Sequence, residues 1–192
     1  MTHVRRVVTL PNALTASRFV LAPIFLVLYA RGDTVRALAA FAAAAATDVL
    51  DGLAARVLQQ HTRLGAFLDP IADKFLAACA LFALWQRGRL PLWLPLLVVS
   101  RDAAQLLGAA ALRGLGRRIP IAPTRIGKYA TFCIAATVLV SLAWEFLAWP
   151  PSQGAPYVAA LGLVTAECVA VSWVQYFLYF VRSARWASEP TV

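Results

Sequence analysis

Four aspartates within 26 residues dominate the chemistry this chain can do: Asp48 and Asp51, three apart, and Asp69 and Asp73, four apart. Either spacing puts a pair of carboxylates on one face of a helix. They lie in TDVLDGLAARVLQQHTRLGAFLDPIADK (47–74), where the positive residues are Arg56, Arg63 and Lys74. Three cations cannot neutralise four acids, which disfavours a ladder of structural ion pairs. Hard oxygen ligands without His or Cys among them invite Mg²⁺ or Mn²⁺ rather than zinc. Gly52 beside Asp51 leaves room for a ligand to approach the helix, Ala55 keeps the same face open, and Gly65 permits close approach of helices or ligand.

The elements that must position these carboxylates are membrane helices. Of the 192 residues, 61% are hydrophobic and 14% charged, too apolar for an ordinary soluble domain. The reading is an all-α integral membrane protein, one domain over 1–192. A short interfacial helix at 1–12 precedes six transmembrane helices at about 13–30, 35–57, 65–86, 91–113, 125–148 and 155–181. A tail follows at 182–192. Breakers mark the connections: RGD, QQHTR, RGRLP, RGLGRRIPIAP and PPSQG. The second and third spans form an antiparallel hairpin with its turn near residue 60. Asp48 and Asp73 are equally far from that turn, and so are Asp51 and Asp69. The carboxylates therefore form two rungs, about 10–15 Å below the turn at 1.5 Å per residue. Ions at such depth are expensive and functional by default.

The net charge of +9 flanks apolar runs, which suits anionic lipid head groups and not nucleic acid. Twelve Lys and Arg residues fall on the side of the termini, Arg5, Arg6 and Arg18 among them. Arg31, Arg36, Arg87 and Arg89 fall on the other. Both termini are thus expected in the cytoplasm, in a multi-pass protein of the inner (cytoplasmic) cell membrane. Trp93, Trp144 and Trp149 form an aromatic belt at the far interface. No cleavable secretory signal is expected. Cys79, Cys133 and Cys168 lack metal-type spacing and read as packing.

The motif Asp48-x2-Asp51-Gly52-x2-Ala55-Arg56-x8-Gly65-x3-Asp69-x3-Asp73 resembles the full signature of the CDP-alcohol phosphatidyltransferases. LPNALTASRFVLAP (10–23) and PTRIGKYAT (123–131) extend the resemblance. The resemblance implies a homodimer of six-span subunits that transfers the phosphatidyl group of CDP-diacylglycerol to an alcohol, releasing CMP. It implies that Asp48, Asp51, Asp69 and Asp73 hold two Mg²⁺ or Mn²⁺ ions against the diphosphate. Asp73 is implied as general base, and Gly52, Ala55 and Arg56 as contacts of the cytidine nucleotide, with Gly65 beside them. Two metals suit an in-line displacement on phosphorus.

The acceptor is less legible. RLGAFLDPIADK resembles phosphatidylglycerophosphate synthases, which use glycerol 3-phosphate; Arg125, Lys128, Arg101 and Arg113 are then the candidate acceptor contacts. Against this, Ala109 stands where those enzymes commonly carry a second arginine. The Arg101–Arg113 spacing resembles the cardiolipin synthases of the family, which use phosphatidylglycerol. Arg101-Asp102, midway along the fourth span, reads equally as a structural pair. A divalent-cation transporter is the alternative from another class; it would need acids continuing across the membrane, for which Glu145 and Glu167 are the candidates.

Overall fold

A computed structural model describes residues 9–57, 65–114 and 125–185. They form six helices: α1 Leu10–Ala30, α2 Thr34–Val57, α3 Gly65–Gln86, α4 Trp93–Gly114, α5 Arg125–Phe146 and α6 Pro151–Arg185. The described residues contain no strand. Five helices are long and apolar enough to cross a membrane. The sixth, α3, has 22 residues but carries Asp69, Asp73 and Lys74. This is an all-α integral membrane protein.

Three boundaries differ from the sequence reading, each for a local reason. Pro11 does not separate an interfacial helix from the first span; it sits in the first turn of α1, where its missing N–H would be unpaired anyway. Thr9 caps that turn, its hydroxyl accepting from the Asn12 N–H at 3.4 Å. Residues 1–8 of the expected interfacial helix lie outside the described residues. At the other end, α6 begins at Pro151, a residue suited to a first turn, and runs on to Arg185, so 182–185 is helix rather than tail. Between α1 and α2 the chain turns at Gly32, whose φ of +84° is one a side chain would resist.

The chain divides into two compact units, residues 1–89 with 142–149, and 90–141 with 150–192. In the first, α1 packs against both α2 and α3. Ala22, Ala37, Ala44, Ala72 and Ala80 are fully buried. Small residues let helix backbones approach closely, which is what drives association where lipid already satisfies apolar side chains. Aromatic contacts add to it: Phe19 with Phe75, and Phe25 with Phe41. The end of α5 belongs here too. Glu145 accepts from the Tyr29 hydroxyl of α1 and from Arg87, just beyond α3. Arg89 lies 3.7 Å from the same carboxylate, over the Trp144 ring.

In the second unit α4 packs on α6. Polar pairs knit the interior: Thr137 of α5 meets Thr165 of α6 at 2.8 Å. The outward surface is apolar, with Val20, Val35, Leu107, Phe132 and Leu163 all exposed, as contact with lipid tails requires.

Candidate active site

The site grows from three helix faces in the first unit. On α1, Asn12, Thr15 and Arg18 are spaced three apart and all are buried, a polar stripe on an otherwise apolar helix. On α2, Asp48, Asp51, Gly52 and Ala55 share a face by their spacing, and on α3 Asp69 and Asp73 do. Arg18 is completely closed to solvent, and its guanidinium collects the carboxylates. Nη1 donates to Asp48 Oδ1 at 2.7 Å and to Asp73. Nη2 donates to Asp51 Oδ2 at 2.6 Å and lies 3.9 Å from Asp69 Oδ1. The Thr15 hydroxyl is 3.0 Å from Asp51 Oδ2 and 2.7 Å from Asp69 Oδ1.

The two groupings are the two rungs. Asp48 and Asp73 converge on one nitrogen; Asp51 and Asp69 converge on the other and on Thr15. The hairpin spacing thus brings these pairs together, each also gathered on a side chain of α1. A cation that answers all four acids is Arg18; Arg63 and the side chain of Arg56 lie outside the described residues. The part of Arg18 in the sequence reading was a marker of membrane side. The signal that could have found it is the run Asn12-x2-Thr15-x2-Arg18, three polar residues at helical spacing inside an apolar span.

The Arg18 guanidinium is shared among four carboxylates, and Thr15 has a single proton for two carboxylates and the Pro11 carbonyl, which is 3.1 Å away. Among the described residues no three acidic, imidazole or thiol groups are drawn together tightly enough to cage a metal ion; the carboxylates stand around the guanidinium instead. The donor set nonetheless fits hard divalent cations: four carboxylates on two rungs, with no soft ligand among them. Exposure separates their roles. The Asp51 side chain is 7% exposed, whereas those of Asp48, Asp69 and Asp73 are 50%, 45% and 54% exposed and open to a ligand.

Of the other candidates in this unit, Gly52 is half-buried and Gly65 buried, the latter at the first turn of α3. Ala55 and Arg56 lie in the last turns of α2, with side chains outside the described set. The acceptor candidates belong to the second unit. Arg101 is buried and committed to the protein: Nη1 donates to Asp102 Oδ1 at 2.8 Å, Nη2 to Ser172 Oγ at 3.0 Å and to the Gly127 carbonyl at 3.3 Å. It ties α4 to α5 and α6, which is the structural role. Arg125 and Lys128, on the first turn of α5, are exposed. Arg113 is in the last turn of α4, its side chain not described. Glu145 is held in the cluster with Arg87, Arg89 and Tyr29, and Glu167 is exposed on α6.

The family model described as CDP-alcohol phosphatidyltransferase matches residues 8–181. A probable phosphatidylglycerophosphate synthase of Mycobacterium tuberculosis is 36% identical, the match covering 94% of this chain and 84% of that protein. The CDP-diacylglycerol--glycerol-3-phosphate 3-phosphatidyltransferase of Escherichia coli is 35% identical over 87% of this chain and 92% of its own. A probable cardiolipin synthase (CMP-forming) of Drosophila melanogaster is 34% identical over 88% of this chain; the match spans 57% of that protein.

Proposed function

The chain belongs to the CDP-alcohol phosphatidyltransferase family, and on that premise we propose that it makes phospholipid by transferring the phosphatidyl group of CDP-diacylglycerol to glycerol 3-phosphate, with release of CMP. The observation that carries this reading is the convergence of Asp48, Asp51, Asp69 and Asp73, in two pairs, on one buried place.

In this reading the four aspartates hold two Mg²⁺ or Mn²⁺ ions. When bound, those ions supply the positive charge that steadies the diphosphate and the departing phosphate. The chain's own groups do the rest. Gly52 and Ala55, lacking bulk on the face of Asp48 and Asp51, leave a slot for the cytidine nucleotide, and Arg56 one residue on gives a cation for its phosphate. Gly65 lets the nucleotide pass close to α3. Asp73 is among the open carboxylates and accepts the proton of the acceptor hydroxyl. The hydroxyl oxygen then bonds to the lipid-side phosphorus as the bond from that phosphorus to the CMP oxygen breaks. General-base help of this kind contributes about 10²–10⁴-fold. Arg125 and Lys128 are the exposed cations suited to the acceptor phosphate. Both termini face the cytoplasm, on the side with more Lys and Arg, and the subunits pair as homodimers.

A second acceptor, phosphatidylglycerol, is favoured by one feature. An apolar cavity of about 380 Å³ opens between α4 and α6, lined by Ala104, Gly108, Ala109, Trp173, Tyr176 and Phe177 among others. Its lining, apolar apart from Arg101 and Gln105, suits an acyl chain better than a small dianion. The deciding experiment offers purified protein CDP-diacylglycerol with glycerol 3-phosphate, phosphatidylglycerol, inositol phosphate or serine in parallel and measures CMP. Glycerol 3-phosphate should win. A dominant preference for phosphatidylglycerol would move the reading to the second acceptor, and no CMP with any alcohol would sink both.

A further inference from the structure

We propose that Arg18 is the resident cation of the carboxylate cluster, and that divalent cations must displace its guanidinium in order to bind. The proposal rests on the reading of the four aspartates as metal ligands and adds what stands in their way.

Arg18 occupies the place on which both rungs converge, each terminal nitrogen serving one pair. A divalent ion bound by those oxygens needs them at about 2.0–2.1 Å for magnesium. It would then stand in contact with a like charge already seated there. The guanidinium and the ion are therefore competitors, and each weakens the apparent affinity of the other by mass action.

The arginine is built to leave. Its carboxylate partners are on α2 and α3, while Arg18 itself comes from α1, so its departure moves no metal ligand. Its Nε is buried without a hydrogen-bond partner; the contacts to the aspartates run through the two terminal nitrogens. Turning the group away leaves the carboxylates to the incoming cation, and the guanidinium must find water or a lipid phosphate in their place. It also has a purpose before metal arrives. Without the Arg18 guanidinium the carboxylates of α2 and α3 would repel one another more strongly, and a buried, unpaired charge is strongly destabilising. Arg18 keeps the cluster assembled and the helices together in the metal-free protein.

The test uses the full chain in nanodiscs, without substrate. Mn²⁺ binding is read by electron paramagnetic resonance of the free ion, and thermal unfolding is followed with and without Mn²⁺. Arg18→Gln should bind Mn²⁺ at least about tenfold more tightly than the unaltered protein, a decade in Kd being ~1.4 kcal/mol. Its metal-free Tm should fall, and saturating Mn²⁺ should close the gap. Arg18→Lys keeps the charge but loses the two-pronged contact; it should bind Mn²⁺ a few-fold tighter, and it serves if Arg18→Gln does not fold without metal. Mn²⁺ binding that is unchanged or weaker in both variants overturns the displacement of Arg18 and leaves the metal reading standing. Absence of Mn²⁺ binding in the unaltered protein and both variants removes the metal reading and the proposal with it.

Discussion

Arg18 Nη2 and Asp51 Oδ2 lie 2.6 Å apart, the arginine side chain wholly closed to solvent and the aspartate 7% exposed. The other three carboxylates of the cluster are about half open. The four acids of one motif therefore stand in two physical environments, and substitutions among them should separate stability from turnover.

Asp51→Asn removes the one buried carboxylate that holds the buried Arg18; Asp48, Asp69 and Asp73 still answer the arginine, so the variant should lose some Tm as well as CMP release. Asp48→Asn and Asp69→Asn alter half-exposed groups, where an ion pair is worth about 1 kcal/mol or less. They should abolish CMP release yet unfold close to the unaltered temperature. Equal loss of Tm in all three would contradict the division.

Chelation should act on activity and not on folding. CMP release from CDP-diacylglycerol should vanish in EDTA and return with excess Mg²⁺ or Mn²⁺. The protein should remain folded throughout, because Arg18 neutralises part of the cluster when no metal is present. Full turnover in chelator would refute the metal-dependent mechanism.

Arg125 and Arg101 should respond differently to replacement by alanine. Arg125 is exposed at the start of α5, and its loss should raise the KM for glycerol 3-phosphate well beyond the KM for CDP-diacylglycerol, its contact being with one substrate. Arg101 holds Asp102, Ser172 and the Gly127 carbonyl, and its loss should lower Tm by leaving buried polar groups unpaired. A KM effect specific to the acceptor in Arg101→Ala with unchanged Tm would reverse the assignment.

Topology can be read by labelling single cysteines from either side of the membrane, in a background with Cys79, Cys133 and Cys168 replaced. Positions 61 and 153 should label from opposite faces, with 61 on the cytoplasmic side. Labelling of both from one side would overturn the six-span arrangement.

The pairing of Asp48 with Asp73 and of Asp51 with Asp69 was legible because it depends only on helical rise and chain direction, both written in residue numbers. What lies between the pairs was not. Arg18 reaches Asp48 across 30 positions of sequence, and nothing local to either residue says that α1 packs against both α2 and α3. A lone arginine near the start of an apolar span also fits the charge rule for membrane orientation, and that plainer meaning masks the second one. Helix ends were readable to within a few residues, and two of the misses, at the starts of α1 and α6, fall at prolines. Pro11 and Pro151 look like separators in sequence but are tolerated in first turns, where no backbone donor is required of them. The Arg101-Asp102 pair was open between two meanings until Ser172, 71 positions on, supplied its partner.

The anchoring of Glu145 against Arg87 and Tyr29 bears on how the protein is made. Arg87 precedes its carboxylate by 58 positions, and ribosomes add about 5–20 residues per second. For several seconds the chain holds its first three helices with Arg87 and Arg89 still waiting for an acid that has yet to be translated. The compact unit around the aspartates includes residues 142–149, so it closes only after α4 and nearly all of α5 have been synthesised. The unit that holds the aspartates thus cannot finish in the order of the sequence: a nascent chain arrested before α5 would leave Arg87 and Arg89 without Glu145.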